Sequence, residues 1–164
     1  MDPTAKKKAL RLLSNGVYIL TSRDGDRFGA ATVTWVSQAS FKPPLVMAAI
    51  RKDSSALRCL TQSLVAALHI VGSGQCEIAQ KFFAPTFFEP TVPGPGAING
   101  EPFEDGETLA PILKNAPAYL ECRVRQIIED GGDHDIVVMQ VVNAECREGM
   151  EPLTIAQSPW EYGG

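Results

Sequence analysis

Five consecutive residues, Arg51, Lys52, Asp53, Ser54 and Ser55, set two cations immediately before a helix start that carries two hydroxyls. The free N–H groups and positive dipole end of such a start attract an anion, and each charge-assisted hydrogen bond contributes about 1.5–3 kcal/mol. A phosphate monoester suits that chemistry, although Asp53-Ser54-Ser55 is equally an ordinary capping sequence. A second run, Thr32-Val33-Thr34-Trp35-Val36-Ser37-Gln38-Ala39-Ser40, surrounds one large aromatic with small hydroxyl residues at the end of a strand. Hydroxyls in this setting are either exposed strand formers or a shallow platform that hydrogen-bonds a flat heteroaromatic ligand.

The chain has two histidines. His134 stands with Glu129, Asp130, Asp133 and Asp135 around one turn, but the spacing lacks the ligand order and closing glutamate of a calcium loop. From its residues alone the cluster reads as a hairpin turn, and no metal site is expected. His69, between Leu68 and Ile70 in an apolar run, reads as structural. The sequence holds no GxxxxGK phosphate loop, no GxGxxG after a strand, no HExxH and no GxSxG. ATP, a Rossmann-bound dinucleotide, zinc proteolysis and serine hydrolysis therefore lose support.

Elements that could position these groups follow from the change of hydrophobic period along the chain. Asp2 caps a helix with Pro3 at its first position, and Ala5, Ala9, Leu12 and Leu13 recur at helical spacing, predicting an amphipathic helix docked on the domain. Its lysines, Lys6 to Lys8, read as a solvated face. After Asn15-Gly16 the chain reads as a hairpin, Val17–Thr21 and Phe28–Val36, turning at Asp24-Gly25. Leu45–Ile50 is apolar on both faces, which predicts burial on both. Asp53 is expected to cap a short helix from Ser54 to about Thr61, followed by a strand from Leu64 to Val71 and a second short helix ending near Phe83.

From 84 to 111, prolines and glycines recur too often for long regular structure. Such a stretch is a lid, a binding loop, an oligomer arm or a disordered insertion. Residues 120–128 alternate as a half-buried strand, and 136–144 can pair back across Asp130-Gly131-Gly132-Asp133. Strands joined mostly by hairpins, with short helices between them, predict an antiparallel β-barrel with helices outside.

The 164 residues are 45% hydrophobic and 21% charged, the profile of one folded domain spanning 1–164. Fifteen basic against nineteen acidic residues leave a net charge of −4, without the basic footprint of a nucleic-acid binder. Cys59, Cys76, Cys122 and Cys146 form no CxxC pair or zinc spacing; they read as free thiols of a reducing compartment. No apolar run reaches the roughly 20 residues of a membrane span, so cytoplasmic residence without a membrane partner is expected.

Taken in order, Gly16–Thr21, Thr32–Pro44 and Arg51-Lys52-Asp53-Ser54 resemble the flavin reductase-like family of FMN-binding split barrels. Lys81-Phe82-Phe83, Ala110–Leu113, Ala118–Cys122 and Gly132-Asp133-His134 extend the resemblance over nearly the whole chain. It implies a mainly β fold, an antiparallel six-stranded split β-barrel with short peripheral α-helices, paired as a homodimer around FMN. The segment Thr32, Val33, Thr34, Trp35, Ser37, Gln38 and Ser40 is then expected along the flavin ring and ribityl chain. Arg51, Lys52, Ser54 and Ser55 are expected at the phosphate, Lys81, Phe82 and Phe83 beside the flavin, and His134 as a catalytic residue near the flavin or reductant. The implied activity is hydride transfer from NADH or NADPH to flavin, whose electrons pass on to an acceptor or redox partner protein; the protein's part is stacking and orientation. A non-enzymatic FMN-binding electron carrier, reduced by a protein donor, is the alternative that the same residues allow.

Overall fold

The computed structural model describes residues 1–147 and 149–164. In chain order the elements are α1 (Pro3–Arg11), β1 (Tyr18–Asp24), β2 (Arg27–Val33), β3 (Val36–Ser40), β4 (Leu45–Arg51), α2 (Ser55–Ser63), β5 (Val65–Ile70) and α3 (Cys76–Lys81). There follow β6 (Phe88–Glu89), β7 (Ala97–Ile98), β8 (Glu101–Asp105), β9 (Pro111–Leu113), β10 (Ala118–Ile128) and β11 (His134–Cys146). The mainly β expectation holds. Seven strands, rather than the expected six, form the principal sheet in the order β2-β1-β5-β10-β11-β4-β3. The extra strand arises because the run read as one strand to Val36 breaks at Thr34-Trp35.

That break dictates the sheet's shape. Strands β2 and β3 are its opposite edges, yet Val33 and Val36 are joined by two residues. Three Cα steps reach at most about 11 Å, whereas the edges of a flat seven-stranded sheet would stand roughly 29 Å apart. The sheet must therefore coil until its edges nearly meet, and no ladder joins them among the described residues.

Two apolar clusters hold this coil. Inside it, Leu20, Val33, Ile50, Leu68, Val137 and Met139 pack with Ala56, Leu57 and Leu60 of α2. Each fully buried Leu or Ile contributes about 1.5–3 kcal/mol by leaving water. Gly29 lets α2 come this close, since a Cβ there would stand 2.9 Å from the Ala56 backbone. A second cluster, including Val17, Ile19, Phe82, Ile98, Phe103 and Leu113, joins α3 and the proline-rich region to the other side of β1. That region is not one long loop: β6 to β9 form a small antiparallel sheet of two- to five-residue strands, short enough to fit between prolines. Phe28 of β2 stacks on Phe88 at 4.3 Å and ties the small sheet to the large one.

Three local expectations change. Helix α1 is capped by Asp2 as predicted but buries none of its residues; Leu12 and Leu13 stay exposed, and Arg11 holds the helix to the C-terminal segment through polar contacts. The cap of α2 is Ser54, whose Oγ accepts from the Leu57 N–H at 3.1 Å, because the Asp53 carboxylate is taken by Arg51. Strand β4 buries only one face: Val46, Ala48 and Ile50 point inward while Met47 is 41% exposed.

Candidate functional site

A groove of about 1040 Å³ opens where the coiled sheet's edges approach. Its floor is the end of β2, the Thr34-Trp35 link and the end of β4. The start of α2 supplies one wall, and residues 82–86 with the C-terminal segment 155–162 supply another.

The floor is tied to its neighbours by hydroxyls. Thr32 Oγ1 donates to the Ala79 carbonyl at 2.7 Å and the Thr32 N–H donates to the Phe82 carbonyl at 3.3 Å, pinning α3 and the residues after it to β2. Thr34 differs: its Oγ1 is buried and has no hydrogen-bond partner. An unpaired buried hydroxyl costs about 1–3 kcal/mol, so this atom is one a ligand could satisfy.

The α2 wall is cationic. Arg51 and Arg58 both line it, with Ser54 and Ser55. Arg51 grips Asp53 through two hydrogen bonds of 3.0 and 2.8 Å, which hold the Asp53 carboxyl below the usual carboxylate range. The Arg58 guanidinium donates to the Asp53 carbonyl at 3.0 Å. Arg51 and Arg58 set two guanidiniums beside a helix start; Asp53 and Asp133 lie near Arg51, while Arg58 bonds a carbonyl and forms no ion pair among the described residues, which leaves its charge to an anion.

The remaining surface is aromatic. Trp35 lies between His134, with ring centroids 4.6 Å apart, and Tyr162, at 5.4 Å. Phe83 meets the edge of Trp160 at 4.9 Å. His134 sits opposite Arg51 in the β11–β4 ladder, which brings the histidine and the cationic corner together. Its Nδ1 lies 2.6 Å from Asp133 Oδ1. A carboxylate can only accept, so Nδ1 carries the proton and Nε2 remains the available atom. This bond also holds the Asp133 carboxyl low.

Of the residues expected from sequence, Thr32, Val33, Thr34 and Trp35 line the floor, Arg51, Ser54 and Ser55 the cationic wall, and Phe82, Phe83 and His134 the rest. Five do not line the groove. Ser37, Gln38 and Ser40 belong to β3, past the link, where the strand runs along β4 as an edge and turns Ser37 and Gln38 outward. Lys52 directs its ammonium to the buried Asp135 carboxylate, 3.6 Å away. Lys81 pairs with buried Glu101 at 3.2 Å. His69 is structural as expected: Leu113 N–H donates to its Nε2 and its Nδ1 lies 2.9 Å from the Ile19 carbonyl.

Sequence reasoning missed Arg58, Thr86, Trp160 and Tyr162. Arg58 carried a signal, lying one helical turn after Ser54 and so on the same face. The others reach the groove only through contacts distant in sequence.

The fold and groove define a class: a coiled β domain offering a cationic corner, a ring-sized aromatic surface and an unsatisfied buried hydroxyl to one ligand. Residues 10–161 match the flavin reductase like domain, and the chain belongs to that family. It is 36% identical over 148 residues to diflavin flavoprotein A 1 of Synechocystis sp., a match covering 90% of this chain and 25% of that protein. The chain thus spans about a quarter of the length of the curated relatives it matches. Among solved structures it resembles the NADH:FAD oxidoreductase of Streptomyces globisporus C-1027, with a TM-score of 0.75 and 26% identity over 93% of this chain and 87% of that one. It also resembles the flavin reductase component of a bacterial two-component tryptophan halogenase, with a TM-score of 0.71, 25% identity and coverage of 87% and 86%.

Proposed function

We propose that the groove binds a flavin, FMN in the first instance, and that the domain passes reducing equivalents from NADH or NADPH through it to a further acceptor. The observation that carries this reading is the coincidence in one groove of the Arg51–Arg58 corner, the aromatic surface and the unpaired Thr34 hydroxyl. Those groups suit a ligand with an anionic group, a flat ring and a polar edge. Bound flavin would supply the redox chemistry, accepting a nicotinamide's electron pair and releasing it onward. Arg51, Arg58, Ser54 and Ser55 would hold the phosphate. Thr34 would donate to or accept from the ligand, and Trp35 and Phe83 would offer ring contacts. His134, oriented by Asp133, would keep Nε2 for the flavin or the incoming nicotinamide.

A second reading is favoured by the relatives. Proteins called diflavin flavoproteins are about four times as long as the matched region, which supports a module whose electron donor or acceptor is another part of a longer protein. Pairing with a second copy is supported by the apolar outer face of β4 and β11, where Met47, Ile136 and Val142 are 41%, 37% and 40% exposed; light scattering at twice the monomer mass is the expected result. Four free cysteines support a reducing, cytoplasmic setting. No helix among the described residues is long and apolar enough to cross a membrane.

The test is a visible spectrum of the desalted protein, then anaerobic titration with NADH and NADPH in turn. A flavin spectrum bleached by either nicotinamide is expected. Bound flavin that only a protein donor reduces would favour the carrier reading. A colourless protein that neither rebinds FMN nor accelerates its reduction would overturn both.

A further inference from the structure

The C-terminal wall of the groove is a strap tied to helix α1. After the turn at Ile155–Gln157, Trp160 meets Phe83 within that wall, while Tyr162, two residues on, meets Trp35 on the floor. Between these two aromatic feet, Glu161 reaches outward and accepts from the Arg11 guanidinium at 2.9 Å. Arg11 Nε also donates to the Gly163 carbonyl at 3.0 Å. Helix α1, which carries Arg11, buries no residue of its own; its long-range side-chain hydrogen bonds, among the described residues, are these two.

We propose that Arg11 is a positioning residue for the groove: it latches the Trp160–Tyr162 strap against the ligand site, from the Phe83 wall to the Trp35 floor, and opening this latch sets how fast a bound ring ligand enters and leaves. The proposal deepens the flavin reading and rests on it for the ligand's identity. The latch is weak by construction, because Glu161 is largely exposed and exposed ion pairs are worth little. A latch of that strength holds the strap closed most of the time yet lets it open without unfolding the sheet. Trp160 and Tyr162 would then be ligand-contacting residues, each offering an aromatic face at small entropic cost.

The chain has two tryptophans, Trp35 and Trp160, and both line the groove, so intrinsic fluorescence reports this site without added label. The experiment compares wild type, Arg11→Ala and Glu161→Gln by acrylamide quenching of the unliganded full chain and by the dissociation rate of FMN from the loaded protein. Both variants are expected to show stronger quenching, and roughly two- to fivefold faster FMN release, with the thermal midpoint nearly unchanged. Quenching that stays at the wild-type value in both variants overturns the latch, whatever the ligand. Stronger quenching with unchanged FMN release also overturns it, since the strap would open without gating. Stronger quenching in a protein that binds no FMN would uphold the latch and overturn the flavin reading instead.

Discussion

Ser55, the first residue of α2, and Thr86, 31 residues further along, share a hydroxyl–hydroxyl hydrogen bond at the edge of the groove. Thr86 Oγ1 also accepts from the Ala30 N–H at 3.0 Å and donates to the Ala30 carbonyl at 3.2 Å. One side chain thereby joins β2, the helix start and the segment after α3. Thr86→Val removes all three bonds and leaves the Ala30 amide without its partner, so a loss of about 1–3 kcal/mol is expected. Thr86→Ser should retain most of it. Urea midpoints of the two variants decide the matter.

Thr34→Val separates binding from folding. The wild-type hydroxyl is buried without a partner, so replacing it by a methyl of the same shape should leave stability unchanged or raise it. Flavin affinity should fall by about three- to tenfold, the worth of one neutral hydrogen bond. A variant that loses stability and keeps its affinity would show that the hydroxyl serves the fold through water.

Arg58→Gln tests the cationic corner with two ligands that differ by a phosphate. Charge-assisted bonds are worth about 1.5–3 kcal/mol, so FMN binding should weaken at least tenfold. Riboflavin binding should hardly change. Equal losses for the two would move the phosphate away from Arg58.

His69 predicts an acid limb in the stability profile. Burial holds its pKa down to about 4 from 6.5, so between those values the unfolded chain takes up a proton that the folded chain refuses. Stability is whole above pH 6.5, falls by about 1.4 kcal/mol per pH unit as the pH drops, and stops falling from this cause below about 4, where the folded form protonates too. Unfolding free energies at pH 7.0, 5.5 and 4.5 should show this slope, and His69→Gln should flatten it.

The groove's local parts were legible in the sequence. Arg51, Ser54 and Ser55 are adjacent, so the reason they share a site, a helix start, is written in five residues. His134 could be placed beside them only by family resemblance, since its pairing with Arg51 is a register relation between β4 and β11. Lys52 and Lys81 stand outside the groove lining for one reason: their cationic ends are held by buried carboxylates, Asp135 and Glu101, whose burial depends on the assembled sheets. Ser37, Gln38 and Ser40 lie outside the groove lining because the strand break at Thr34-Trp35 sends the chain on to the sheet's other edge. Short strands β6 to β9 were hidden by prolines that suppress the usual alternation, and the C-terminal strap has no local pattern that points toward residues 83 and 35.

The two-residue link from β2 to β3 has a mechanical consequence. Elsewhere around the coil, prising neighbouring strands apart means breaking ladder hydrogen bonds in series, whereas no ladder joins β2 to β3 among the described residues and the link is held by the Ala49 N–H donating to the Trp35 carbonyl at 2.9 Å. Elastic compliance is therefore concentrated where the ligand groove lies. An opening of this seam would bend the chain at Thr34 and leave the seven-stranded ladder intact.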